Sequence, residues 1–254
     1  MEVAREPLYV FLHLPKTGGT TITGHLSQHL PPEELLFLGP GSDRDRELRN
    51  IAPPHEWPEE RRAQIRVITG HGANITSHRL VPSRPVRYVT IVRDPAPLLV
   101  SRFNFDVSRS GETLSFEDWY PQQRPDPILR RLRKLLGEQG FDDVAAALEA
   151  FWFIGVTEHL DSDLPHLFSA IGVPPVWINR RVAGGGTDVN GLDLPGAAEA
   201  VAIDQHASLT QEIRDRVHTD HGEDLRLYHL ASRLRQARRT ALHWQGSIAE
   251  HTPR

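Results

Sequence analysis

The chain contains no cysteine, which removes disulfide frameworks, thiolate metal sites and a cysteine nucleophile while leaving the redox compartment open. It lacks any apolar run approaching the length that crosses a bilayer. Residues 1–7 carry Glu2, Arg5 and Glu6 where a secretory signal needs a long apolar stretch. A cytoplasmic protein with no membrane partner is the expectation. Excess positive charge is missing too: 29 Lys and Arg against 33 Asp and Glu give a net charge of −4 with the 14 histidines neutral. Such a chain has no global field for attracting nucleic acid, so no nucleic-acid partner is expected and any anionic ligand needs a local site.

What is present is enough for one sizeable core: 254 residues with 39% hydrophobic content, expected as a single domain over residues 1–254. Leu8 to Leu14 is nearly all apolar and ends at Pro15, the pattern of a strand buried on both faces of a parallel sheet. After Gly18-Gly19, residues Thr20 to Leu30 contain no proline, place Ile22, Leu26 and Leu30 four apart and stop at Pro31-Pro32, which predicts a helix. Ile65 to Thr69 and Val86 to Val92 read as further strands, each followed by a turn carrying an unusual residue, His71 or Arg93. Phe151 to Val156 reads as another buried strand after a helix around Val144 to Ala150. Further helices are predicted for Ile128 to Leu136, Leu164 to Ile171, Ala197 to Arg216 and Asp224 to Leu242. Residues 40–64 and 108–127, rich in charge, proline and glycine, are expected as insertions above the sheet on the side of an acceptor. The fold class is therefore α/β: a central, mostly parallel sheet flanked by helices, with a helical C-terminal half. The unusual residues fall at strand C-terminal ends, where open α/β sheets bind ligands.

Lys16-Thr17-Gly18-Gly19-Thr20-Thr21, between strand and helix, supplies free backbone N–H groups, hydroxyls and a cation at a helix N-terminus, as a terminal phosphate or sulfate requires. A lone Gly-Gly is more often a simple turn; the lysine before it and the threonines after it reverse that preference. The ATP-binding pattern G-x-x-x-x-G-K-[ST] is not met, because Gly19 and Gly24 have its spacing but His25 stands where lysine is required. A second anchor follows at Arg93, which can make a forked contact, with the Ser101 hydroxyl eight residues on.

These residues carry a family resemblance. His13-Leu14-Pro15-Lys16-Thr17-Gly18-Gly19-Thr20-Thr21 is similar to the 5′-phosphosulfate loop of sulfotransferases that use 3′-phosphoadenosine 5′-phosphosulfate (PAPS), the group that includes heparan sulfate 2-O-sulfotransferase and its bacterial relatives. Ile91-Val92-Arg93-Asp94-Pro95 and Ser101-Arg102-Phe103-Asn104-Phe105 resemble that group's 3′-phosphate motif in order and spacing, with Pro97 at a position that is often basic there. Thr69-Gly70-His71-Gly72 resembles the catalytic histidine segment, with Thr69 in place of a second histidine, and the likeness extends over Leu8 to Thr187. It implies a P-loop-like three-layer fold, PAPS as donor and the desulfated nucleotide PAP as product, no metal, and a hydroxyl-bearing small-molecule or carbohydrate acceptor. By the same resemblance Lys16, Thr17, Gly18, Gly19, Thr20, Thr21, Arg93 and Ser101 would hold the donor. Lys16 would also stabilise the leaving group, and His71, of a residue type that titrates near neutrality, would be the general base. Arg180 or Arg181, in the glycine-rich stretch 179–187, would reach the phosphates from a closing loop, although an ordinary surface loop has the same composition. A P-loop-like nucleotide kinase or hydrolase and a non-catalytic nucleotide-binding protein remain the alternatives.

Other signals are set aside. His25 with His29 and His218 with His221 have the spacing of helix-borne pairs, but no third ligand is visible. The last helix steps through Leu227, Leu230, Leu234, Ala237 and Ala241 with arginines between, which fits a homodimer seam or a basic acceptor surface but more simply a stripe packed on the domain.

Overall fold

The computed structural model of the protein describes residues 6–39, 52–82, 84–110, 113–176 and 207–249. Five parallel strands form one sheet in the order β2-β3-β1-β4-β5. They are β1 (Leu8–Leu12), β2 (Leu35–Phe37), β3 (Val67–Thr69), β4 (Val86–Val92) and β5 (Phe153–Val156). The central strand β1 is buried at every residue. Its side chains divide by parity: Leu8, Val10 and Leu12 enter one core, while Tyr9 and Phe11 enter the other. That alternation explains why β1 reads as a continuous apolar run.

The second of these cores lies under α1 (Gly19–His29) and the later helix Leu160–Ile171, through Ile22, Leu26, Leu164 and Phe168. Between them in sequence come α2 (Glu59–Ala63), α3 (Pro95–Ser110), α4 (Phe116–Trp119), α5 (Pro127–Leu136) and α6 (Phe141–Glu149). The helix Leu160–Ile171 is thus α7, followed by α8 (Gln211–Asp220) and α9 (Gly222–Ala249). The first core is covered by α3, α5, α6 and α9, through Leu99, Phe103, Leu132, Val144, Leu148 and Leu227. The result is the three-layer α/β fold expected, with helices on both faces of a parallel sheet. No helix among the described residues is long and apolar enough to cross a membrane.

Several segments differ from their sequence-based expectation. Strand β2 was not anticipated; three residues are too few for a periodic signal, and its identity comes from pairing Leu35, Leu36 and Phe37 with Val67, Ile68 and Thr69. Within the stretch expected as an insertion at 108–127, Phe116, Trp119 and Tyr120 are buried in the first core. Phe103 packs edge-on against both Phe116 and Trp119, with ring centroids 5.5 and 5.6 Å apart. Burial of three aromatic rings outweighs the polar residues around them, so this part is core. Residues 40–51 of the other expected insertion, and the first ten residues of the helix expected at 197–216, lie outside the described residues. The arginine stripe of α9 is not a uniform surface: Arg235 is buried and bonds both Asp163 oxygens at 2.6 and 2.8 Å, tying α9 to α7.

Candidate functional site

Strand order brings the candidate residues together. Moving across the sheet, β3, β1, β4 and β5 end in His71, the His13–Gly18 loop, Arg93 and the Thr157-Glu158 turn. The chain leaves β1 towards the β3 side and later leaves β4 towards the β5 side, so the crevice beyond β1 and β4 is the switch point of the sheet. Lys16 and Arg93 flank it. Arg93 Nη1 donates to the Lys16 carbonyl at 2.9 Å, joining the two predicted anchors directly.

Lys16 has φ +67°, a left-handed conformation that costs a non-glycine residue about 1–2 kcal/mol. The bond from Arg93 holds it there, and its ammonium lies 4.2 Å from the centre of the Phe105 ring on α3. Gly18 then caps α1 without a side-chain hydrogen bond to the helix. Gly19 makes room of a different kind: a Cβ there would stand 1.8 Å from His13 Nε2 and would force the His13 ring to move. The His13 ring therefore lies directly against the first turn of α1.

A cleft of about 300 Å³ opens over this turn, bordered by Lys16, Gly18, Gly19, Thr20, Thr21, Arg93 and Ser101 together with His13, Thr157 and Glu158. A second cleft of about 430 Å³ shares Lys16, Arg93 and Ser101 and continues along α3 past Val100, Asn104 and Phe105 to Leu209. Thr17 turns its side chain away from the cleft. Its side chain is fully buried, its hydroxyl donates to the Leu14 carbonyl at 2.8 Å, and it does not border the cleft. Arg180 and Arg181 lie outside the described residues.

His71 follows β3 and borders neither cleft, but its ring stacks on His13 with centroids 4.3 Å apart and planes 19° from parallel. Arg131 of α5 donates through Nη2 to the His71 carbonyl. Burial, and after it the Arg131 charge, push the imidazole below its ordinary value and favour the neutral ring. The glycines beside it have a packing role. A Cβ on Gly70 would lie 2.3 Å from the Leu38 carbonyl oxygen, which accepts from Gly72 N–H at 2.7 Å.

Three residues given no site role by the sequence brace the cleft. Thr157 Oγ1 sits 3.3 Å from the Thr17 carbonyl and 3.2 Å from that of Val92, bracing the loop against β4. Glu158 accepts from Asp94 N–H at 3.3 Å; burial pushes its carboxyl upward, against the pull of these backbone bonds and of Arg93. Asp94 itself caps α3 through Ala96 N–H at 2.8 Å and receives Arg214 and His218 of α8 at 3.0 and 2.9 Å. The signal for Thr157 and Glu158 was their place just after a buried strand, the same signal that singled out Arg93.

Fold and cleft together define a parallel α/β protein with a P-loop-like turn and a glycine-capped helix N-terminus beside two cations. The chain matches no protein-family model and no curated protein. Among solved structures it is similar to a sulfotransferase from Alicyclobacillus acidocaldarius, with 16% identity and a TM-score of 0.44 over 89% of this chain and 97% of that one.

Proposed function

We propose that the protein transfers the sulfuryl group of PAPS to a hydroxyl of a small-molecule or carbohydrate acceptor, leaving PAP. The observation that carries this reading is the meeting of Lys16, Thr20 and Thr21 with Arg93 and Ser101 around one cleft at the open end of α1. Two anchors for anions at one switch point suit a nucleotide phosphorylated at both ends of its ribose. The neighbouring cleft along α3, with Val100 and Phe105 in its wall, offers apolar surface for the rest of such a ligand.

In this reading backbone N–H groups of the first turn of α1 and the threonine hydroxyls hold the 5′ end. Arg93 and Ser101 hold the 3′-phosphate. A neutral His71 accepts the acceptor's hydroxyl proton as its oxygen bonds to sulfur and the sulfur–bridging oxygen bond breaks. The electron pair of that bond leaves on the nucleotide, where Lys16 meets the charge. His71 then releases its proton to solvent. The downward push on His71 suits a base that must be neutral at neutral pH.

One alternative has an observation of its own. Glu158 and Asp161 border the same cleft, and acids beside a phosphate site are where a kinase or nucleotide hydrolase holds Mg²⁺. Against it stands His25, buried and bonded through Nε2 to the Pro174 carbonyl at 2.8 Å, where the Walker pattern needs a lysine directed at phosphates.

The test is transfer of labelled sulfate from PAPS to an acceptor panel, read by mass, beside ATP turnover with Mg²⁺. Sulfated product without metal supports the proposal. ATP turnover selects the kinase or hydrolase, and nucleotide binding with no transfer selects a binding protein. Within an active chain, His71→Ala should lower turnover by about 10²- to 10⁴-fold with donor affinity unchanged. Wild-type turnover in that variant would remove His71 from the reaction.

A further inference from the structure

His13 borders the anion cleft, whereas the candidate base does not. One edge of the His13 ring lies against Gly19 at the start of α1, close enough that a methyl group on Gly19 would overlap Nε2. One face carries the His71 ring at a centroid distance of 4.3 Å, and Phe11 stacks with His13 at 5.7 Å and 10°. The His13 ring thus joins the end of β1 and the start of α1 to the turn after β3.

We propose that His13 is the positioning residue of the reaction centre, holding His71 by its ring face at a fixed place relative to the group bound at the N-terminus of α1. This rests on the sulfuryl-transfer reading above. A flat aromatic face is suited to holding an imidazole, because it fixes the plane of a stacked ring and covers one side of it from water. Two adjacent imidazoles also resist carrying two charges, so protonation of one disfavours protonation of the other. The charged groups around the pair are Arg131 on the His71 side and Lys16, Arg93, Glu158 and Asp161 along the cleft.

The proposal separates the face of His13 from its nitrogens. His13→Ala removes both, and misplacing the base should lower kcat by roughly 10- to 100-fold while donor KM stays within about threefold. His13→Phe keeps the face and should recover most of that loss. Histidine-resolved NMR titration supplies a readout independent of turnover. In His13→Ala the His71 imidazole gains water on one side and its midpoint should move upward, and in His13→Phe it should stay close to wild type. Unchanged kcat or an unmoved His71 midpoint in His13→Ala overturns the proposal. A Phe variant as slow as the Ala variant does so too, because the nitrogens would then matter and not the face. If the wild-type chain transfers no sulfate, the reaction reading fails separately. The titration then decides the coupling alone: an upward move in His13→Ala retains it and an unmoved midpoint ends it.

Discussion

Helices α1 and α5 both begin after a residue in the left-handed conformation, and their N-termini have opposite fates. The start of α5 is closed by the protein's own carboxylate. Asp224, reaching from α9, accepts Ile128 and Leu129 N–H at 2.9 and 2.7 Å. Asp126 receives Asp224 N–H at 3.0 Å, and the His221 ring nitrogen accepts Asp126 N–H at 3.0 Å. At the start of α1 the capping residue is Gly18, which has no side chain with which to close the helix end, and Lys16 and Arg93 border the cleft over this turn. The same positive end of a helix is structural where a carboxylate occupies it, and where none does it suits a bound anion. Asp126, His221 and Asp224 bring ligand atoms within 4.8 Å of one another, as a metal site would. Each already has a backbone N–H to accept, so the cluster is a clasp between α5 and α9.

Exchanging the fates of these two helix ends tests the contrast. The largest effect is expected from Thr20→Asp, which brings a carboxylate to the open end of α1. Like-charge contact with a bound phosphate should weaken PAP binding by about 100-fold or more in calorimetry. Thermal stability should hold or rise slightly, because an acid suits a helix N-terminus. Loss of both binding and stability would mean the turn is only structural. Next, Asp224→Ala leaves two buried N–H groups of α5 unsatisfied and should lower unfolding free energy by about 2–4 kcal/mol in urea titration, with PAP affinity unchanged. If stability holds, Asp224 does not close that helix end.

The clasp should also be visible in pH dependence. Burial pushes the Asp224 carboxyl up to about 7 from its ordinary 3.8, against the two backbone N–H donors that lower it. The folded state thus holds this proton more tightly than the unfolded chain. The associated stability is complete below the ordinary value and is lost as pH rises through about 7. Asp224→Asn should flatten that decline, measured as the slope of the urea midpoint between those two values. An unchanged slope would assign it to other groups. The smallest effect is expected at the open end: Glu158→Gln keeps an acceptor for Asp94 N–H but removes a like charge from the cleft. PAP should bind tighter by roughly 3- to 10-fold at neutral pH. Weaker binding would instead give Glu158 an attractive role, as a metal-dependent reading requires.

The sheet and the two anchors were legible because their signals are local. Val86–Val92 has the bounds expected of it, and Lys16, Arg93 and Ser101 follow strands recognisable from apolar runs alone. Strand β2 was not legible, since three residues become a strand only through pairing with β3. Glu158 and Thr157 also follow a recognisable strand, but that this strand lies beside β4 is a tertiary fact. His13 was quoted as part of the loop, yet its stack on His71 depends on β3 lying beside β1. The direction of the Thr17 hydroxyl was not legible either: only its burial and its bond to Leu14 show that it points inward. His218 and His221 have only the spacing of a helix-borne pair in the sequence; in the fold one pairs with Asp94 and the other supports the Asp126 cap.

Asp94 adjoins Arg93, and its carboxylate is held by Arg214 and His218, more than a hundred residues further along the chain. During synthesis, every described residue bordering the smaller cleft, from His13 to Asp161, precedes α8. A nascent chain can therefore possess all of those groups before the partners that fix the base of Arg93 have been translated. Contacts of such long sequence separation form late. Completion of the cleft wall around Arg93 should accordingly lag behind formation of the sheet.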